Sequence, residues 1–246
     1  MPEKKNMKTL VIFIFSLLAG NVLLSQNILD KAKEEIKKTV GNSGNGLSND
    51  DIITGLREAL NQGSTKASGS ASKIDGFFKN PAIKIPFPPE VAIVEKTARQ
   101  LGLHKQTDAF VKSLNRAAEE ASKEAAPILL SAIKSMTITD GLSILNGGET
   151  AATDYLKGKT SAELTARFTP IVKRAIAKAQ VAKYWKPVVK KYNKIPGVQK
   201  KNPNLESYIT EKTVQGLFKL IAQEEVNIRK DPAARATDIL KRVFGK

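Results

Sequence analysis

Cysteine is absent from the 246-residue chain. That excludes disulfides, thiolate metal sites, a cysteine nucleophile and lipidation at an N-terminal cysteine. Histidine is almost as scarce, with His104 standing alone. A Ser-His-Asp triad would have to use it, yet it follows a helix stop in Leu-Gly-Leu-His-Lys without a nucleophile motif, and it reads as a surface loop residue. The chain contains no HExxH, EF-hand loop, Walker sequence or dinucleotide fingerprint. No catalytic residue, metal ligand set or cofactor is therefore expected.

A second scarcity is local. Residues 164–205 hold eleven Lys or Arg and not one Asp or Glu. The formal net charge is +16, and of the +14 carried beyond residue 25 this tract supplies +11 and the rest of the chain +3. So concentrated a charge favours anionic partners: the phosphates of lipid or nucleic acid, or acidic polysaccharide. The competing reading is a solvated face that keeps the protein soluble. A helix over residues 181–194 would put Lys183, Lys186, Lys190 and Lys194 on one face, with Trp185, Val188 and Tyr192 opposite. Those four lysines are the candidate anion-binding residues, although Pro187 threatens the straightness of the stripe. Tyr184, Trp185 and Tyr192 fit base stacking, an interfacial helix on anionic lipid, or simple burial in the core.

Read in order, residues 1–25 resemble a secretory signal, with Lys4, Lys5 and Lys8 ahead of an apolar run at 10–19 and Ser25 as the favoured cut. An uncleaved anchor is the alternative. Either way an exported, periplasmic body is expected, which makes nucleic acid an unlikely main partner. Residues 26–46 read as a short helix with Ile28, Leu29, Ala32 and Ile36 on one side, followed by a Gly-Asn-Ser-Gly-Asn-Gly linker. Residues 47–246 read as a single all-α domain, an irregular multi-helix bundle.

Within that domain, a helix starting near Asp50 is expected to end at Gly63 or continue weakly. A proline-rich extended connector follows near 80–89, where Ile83, Ile85 and Phe87 alternate with Lys84 and Pro86. It could be packed over the helices or form the rim of a groove. Further helices are expected over 90–101, from a Thr107-Asp108 start, over 128–136 behind Pro127, and from a Thr139-Asp140 cap. Next come a brief helix over 151–156 capped by Thr150 and closed by Gly158, then another opened by a capping box at 160–163 with Pro170 as a kink or restart. The longest helix is expected over 205–230, and Asp231-Pro232 starts the last. Glu119, Glu120 and Glu124 read as a solvated acidic patch or as partners of Lys123.

The turn from Asn146 to Asp154 is the second candidate site. Gly147 and Gly148 could leave amides free beside a helix start at Thr150, a small anion site. Glu149, Thr153 and Asp154 could add acid, hydroxyl or ligand groups. A tight structural turn is the plainer reading.

Four segments carry a resemblance: GLREALNQGSTKA (55–67), DGFFKNPAIKIPFPPE (75–90), LNGGETAATDYL (145–156) and IRKDPAARATDILKRVF (228–244). Together they resemble the bacterial family known as domain of unknown function 4197, common in exported proteins of Gram-negative bacteria. The resemblance spans roughly residues 51–244 and implies one helical domain in the envelope. It supplies no catalytic residue. The expected function is a non-enzymatic binding or interaction protein for an anionic lipid or polysaccharide surface. The alternatives are an envelope hydrolase or transferase with a cleft at 146–154, perhaps roofed by residues 77–87, and a carrier of an apolar ligand. Nothing in the sequence indicates an oligomeric state.

Overall fold

A computed structural model describes residues 47–178, 180–199, 201 and 203–245. The expected signal segment and the expected helix and linker at 26–46 lie outside the described residues. Among the described residues there are nine α-helices, three short 3-10 turns and no strand. In chain order the helices are α1 (Asn49–Ser72), α2 (Ala92–Gln100), α3 (His104–Ala121), α4 (Ala125–Lys134), α5 (Ile138–Leu145), α6 (Ala151–Lys178), α7 (Val181–Tyr192), α8 (Leu205–Lys230) and α9 (Asp238–Phe244). The all-α reading therefore holds.

The two long helices α6 and α8 lie against each other, with α3 packed on both. Phe110, Leu114, Leu156, Leu164, Phe168 and Ile209, all from these three helices, are fully buried. Around this centre α4 rests on α6, while α7 rests on α3 and α2. Apolar residues recur three and four apart along each helix, so each buries a stripe and leaves its charged side to water.

Local signals misplaced several boundaries. The first helix runs past Gly63 to Ser72, because Gly63, Ser64, Ala67, Ser68 and Ala71 lie on its buried side. Small residues there permit close approach, and a Cβ on Gly63 would sit 3.4 Å from the Glu224 Cβ of α8. Thr107 is no cap: α3 begins at exposed His104, and the Thr107 hydroxyl donates to the Leu103 carbonyl inside the helix. Pro127 lies within the first turn of α4, where its missing N–H leaves no bond unmade. Thr137, not Thr139, caps α5, in a reciprocal capping box with Asp140. Asp231 and Pro232 open a 3-10 turn, and Thr237 caps the last helix.

The largest difference concerns α6. Two or three short helices were expected where one helix of 28 residues stands. Gly158 and Pro170 interrupt nothing, because both are exposed. Proline cannot bond the carbonyl four residues back, but Ala166 is exposed as well, so water can reach that carbonyl. Thr160 and Ser161 spend their hydroxyls on the Leu156 and Lys157 carbonyls instead of opening a helix. A Cβ on Gly158 would meet nothing within 4 Å. Gly158→Ala should therefore raise the unfolding free energy by about 0.5–1 kcal/mol, read as a higher urea midpoint at unchanged slope.

The proline-rich segment is a clamped connector. Ile83, Ile85 and Phe87 are buried, as the alternation predicts. Asn115 of α3 accepts from the Ile85 amide and donates to the Ile85 carbonyl, each at 2.8 Å, so one side chain supplies both bonds of a missing neighbouring strand. One turn further along α3, Glu119 accepts from the amides of Phe77 and Phe78 at 3.2 Å. Arg116 ties Glu119 to Asp75, whose backbone is left-handed at φ 68°. Glu119 is thus buried and structural, unlike the solvated residue expected. From the other side, the Tyr208 hydroxyl donates to the Pro86 carbonyl at 3.2 Å. Burial pushes the Tyr208 phenol up to about 12, so it keeps the proton that it donates.

Candidate functional site

Helix α7 begins after a sharp break. Gln180 adopts the left-handed conformation (φ 52°, ψ 37°), which ends the run of α6 and turns the chain. Val181, Trp185, Val188 and Tyr192 then fall at spacings of four, three and four, and all are buried. Trp185 lies with its ring centre 5.1 Å from Phe110 and 6.1 Å from Phe87, and those two are 4.7 Å apart. The connector, α3 and α7 thus meet in one aromatic cluster. Trp185 and Tyr192 face the core, so neither is placed to stack on a base or to sit among lipid headgroups.

The opposite side of α7 carries the cations. Lys183, Lys186 and Lys190 are exposed on the helix, as is Lys191 beside them. Lys194 is exposed too, but it lies in the turn after α7, whose helix ends at Tyr192. None of Lys183, Lys186, Lys190 and Lys194 forms an ion pair with a described carboxylate. Pro187 lies inside the helix on the same exposed side, where the carbonyl it leaves unbonded belongs to exposed Lys183. The stripe survives the proline for the same reason that α6 survives Pro170.

The second candidate, the turn at 146–154, is differently occupied. Its amides do converge on a carboxylate, and that carboxylate belongs to the protein. Glu225 of α8 is buried and accepts from the amides of Ala152 at 3.0 Å and Thr153 at 2.7 Å, and from the Thr153 hydroxyl at 2.7 Å. It performs the capping expected of Thr150, whose own hydroxyl turns to Asp154 at 3.2 Å. Arg229, one turn further on, pairs with Glu225 at 2.9 Å and donates to the Ile144 carbonyl at the end of α5. Arg235 is buried just beyond and donates to the Ile228 and Arg229 carbonyls, closing the C-terminal end of α8. A carboxylate at the start of one helix and guanidinium groups at the ends of two others complement all three helix dipoles.

The other residues of the turn lie outside this network. Asn146, Gly147, Gly148 and Glu149 are exposed. Glu149 pairs with Lys230 at 2.6 Å, on the surface. Asp154 faces Thr150 and does not converge with Glu225. Thr153 is the one predicted member drawn into the buried cluster. The connector does not roof the turn: Phe77 packs at Gly216 of α8, whereas Thr153 meets Glu225 about 13 Å further along the same helix at 1.5 Å rise per residue. Beside Glu225 a cavity of about 20 Å³, lined by Leu56, Leu60, Ile221, Ile228 and Phe244 among others, has space for about one water and not for an apolar ligand.

Glu225, Arg229, Arg235 and Asn115 were not anticipated, and Glu119 was read as solvated or paired with Lys123 rather than as a buried acceptor. A signal existed for two of them. Glu225 follows Leu217 and Ile221 at steps of four and precedes Ile228 by three, and Glu119 falls among Leu114, Ala118 and Ala121. An acid on the apolar stripe of a helix must find donors inside the fold.

Among the described residues no group of three or more His, Asp or Glu side chains is arranged to hold a metal ion. Among the same residues no single helix is long and apolar enough to cross a membrane. No curated protein and no solved structure matches the chain. Three of the four segments that carry the resemblance, 55–67, 145–156 and 228–244, meet around α8: Gln62 donates to the Ala234 carbonyl, a Cβ on Gly55 would strike Val243, and Arg229 reaches Ile144 beside the turn that Glu225 caps. A family model described as protein of unknown function (DUF4197) matches residues 46–245, and the chain belongs to that family.

Proposed function

We propose that the protein is a non-enzymatic binding protein of the bacterial envelope that meets an anionic surface, lipid headgroup or polysaccharide, through the lysine side of α7. One observation carries the reading: Lys183, Lys186, Lys190 and Lys194 are exposed, without a counter-ion among the described residues, on a segment whose other side is fixed in the core by Trp185. The cations are held in register before any partner arrives, which lowers the ordering entropy of binding. With Trp185 and Tyr192 buried and Tyr184 half-buried, the contact is chiefly Coulombic and superficial. It follows the strength of the surface potential and weakens as salt shortens the Debye length.

The chain from residue 26 should co-sediment with vesicles containing phosphatidylglycerol and not with phosphatidylcholine vesicles. Each lysine near such a surface contributes about 1 kcal/mol, so Lys186→Glu with Lys190→Glu should reduce binding by at least about tenfold. The fluorescence of Trp185, the only tryptophan, should not shift on binding, because the indole stays in the core. Binding to an acidic polysaccharide column with no binding to vesicles would select the polysaccharide arm. Absence of both, or binding that ignores salt and the double substitution, would reduce the stripe to a solubility feature.

A further inference from the structure

The lysine side of α7 carries more than charge. Pro187 lies among the lysines, inside the helix and exposed. Residues three and four apart are neighbours on a helix surface. Pro187 therefore has Lys183 behind it, Lys190 and Lys191 ahead of it, and half-buried Tyr184 beside it. Lys191 is exposed and, like its neighbours, forms no ion pair with a described carboxylate. Along the chain the nearest acids are Glu163 and Glu206. On the helices that α7 rests on, Glu95 of α2 and Asp108 of α3 share Arg99.

Proline also opens the backbone. It has no N–H, so the Lys183 carbonyl lacks its usual helix donor, and the ring tilts that carbonyl outward on the exposed side. Three kinds of group thus share this face: ammonium donors, one free carbonyl acceptor, and a small apolar patch formed by Pro187 and Tyr184. The donors stand in single file. Lys183, Lys186 and Lys190 fall within about 60° of arc and follow one another at about 4.5 Å and 6 Å along the axis. A bilayer presents its charge in a plane and rewards cations spread over a plane. Its hydrocarbon rewards exposed apolar side chains, and the large exposed ones, Ile74, Ile93, Leu101 and Ile138, all lie outside α7. A chain of acidic sugars presents anions in line, hydroxyl donors between them, and C–H faces on its rings.

We infer that the partner of α7 is a linear acidic polysaccharide laid along the helix. This rests on the reading that the lysines meet an anionic surface, and it selects sugar over lipid. Successive acidic groups of the chain accept charge-assisted hydrogen bonds from Lys183, Lys186, Lys190 and Lys191. A sugar hydroxyl donates to the Lys183 carbonyl. A ring face lies on Pro187 and Tyr184. Any anionic surface is drawn to the lysines by charge, whereas the carbonyl and the apolar patch favour the sugar.

The probe is an oligogalacturonate of defined length, titrated calorimetrically into the full chain. Inorganic polyphosphate of similar length is the comparison, a linear polyanion with no C–H face and no hydroxyl along its length. Pro187→Ala returns a donor to the Lys183 carbonyl, removes the ring and keeps every lysine, at an exposed position where alanine favours the helix. It should weaken oligogalacturonate binding by about threefold to tenfold. Binding of polyphosphate and of phosphatidylglycerol vesicles should stay unchanged. Lys186→Glu with Lys190→Glu should weaken all three. Equal effects of Pro187→Ala on both linear anions, no effect on either, or binding to vesicles with none to oligogalacturonate would each overturn the sugar assignment. If the double variant loses every anion while Pro187→Ala loses none, the anionic surface stands and the sugar falls. If the double variant binds all three as the wild type does, both fall.

Discussion

Glu225→Ala should lower the unfolding free energy by about 3–5 kcal/mol, measured by urea denaturation followed by circular dichroism. The carboxylate is 8% exposed and has four donors: the Ala152 and Thr153 amides, the Thr153 hydroxyl and the Arg229 guanidinium. Alanine removes the acceptor and keeps every donor. Two amides at the start of a 28-residue helix lose their partner, and a guanidinium whose side chain is 15% exposed loses its counter-charge. That asymmetry makes one substitution more damaging than loss of the whole pair. Glu225→Gln keeps an acceptor of the same shape and should lose markedly less. Combining Glu225→Gln with Arg229→Met should recover part of the loss of the single changes, since the two residues are coupled. A loss under about 1 kcal/mol for Glu225→Ala would mean that the start of α6 does not depend on this carboxylate.

Trp185→Ala should be comparably severe, at about 3–5 kcal/mol. The indole is 7% exposed and packs against both Phe110 and Phe87. Its removal opens a void among three elements that cannot all close on it, because Phe87 belongs to a connector already fixed through Asn115 and Tyr208. The loss should fall most heavily on α7, twelve residues with Pro187 inside and only four buried side chains to hold them. Helical signal near 222 nm should therefore begin to fall at a lower urea concentration than in the wild type. Trp185→Phe should retain most of the stability. An alanine variant as stable as the wild type would show that α7 needs no anchor there.

The amphipathic logic of this chain was legible wherever a pattern and its cause were local. The side of α7 that carries lysine and the side that carries Trp185, Val188 and Tyr192 followed from helical spacing alone, as did the alternation of Ile83, Ile85 and Phe87. The all-α class and most helices followed from the same periodicity. What stayed hidden depended on which side of a helix faces water. Gly158 and Pro170 carry strong local signals for an ending, but at exposed positions their cost is small against the burial of Leu156, Leu164, Phe168 and Val172 on the other side of α6. The content of the 146–154 turn was hidden for another reason. Its glycines suggested free amides, but the acceptor that takes the neighbouring amides lies 72 and 73 residues away, beyond any window of local reading.

That separation also sets an order of events. The longest helix begins at Ala151 without a side chain of its own on its first amides. As the chain is made from its N-terminus, α6 is complete in sequence well before Glu225 exists, and until α8 arrives its leading turn has only water for a partner. Arg235 defers the far end of α8 in the same way, to a residue later still. Completion is thus a late, C-terminal event. A nascent chain stopped short of residue 225 would already hold α1 to α7, with the connector clamped by Asn115 and Glu119, but would lack the closures that Glu225 gives the start of α6 and Arg235 the end of α8.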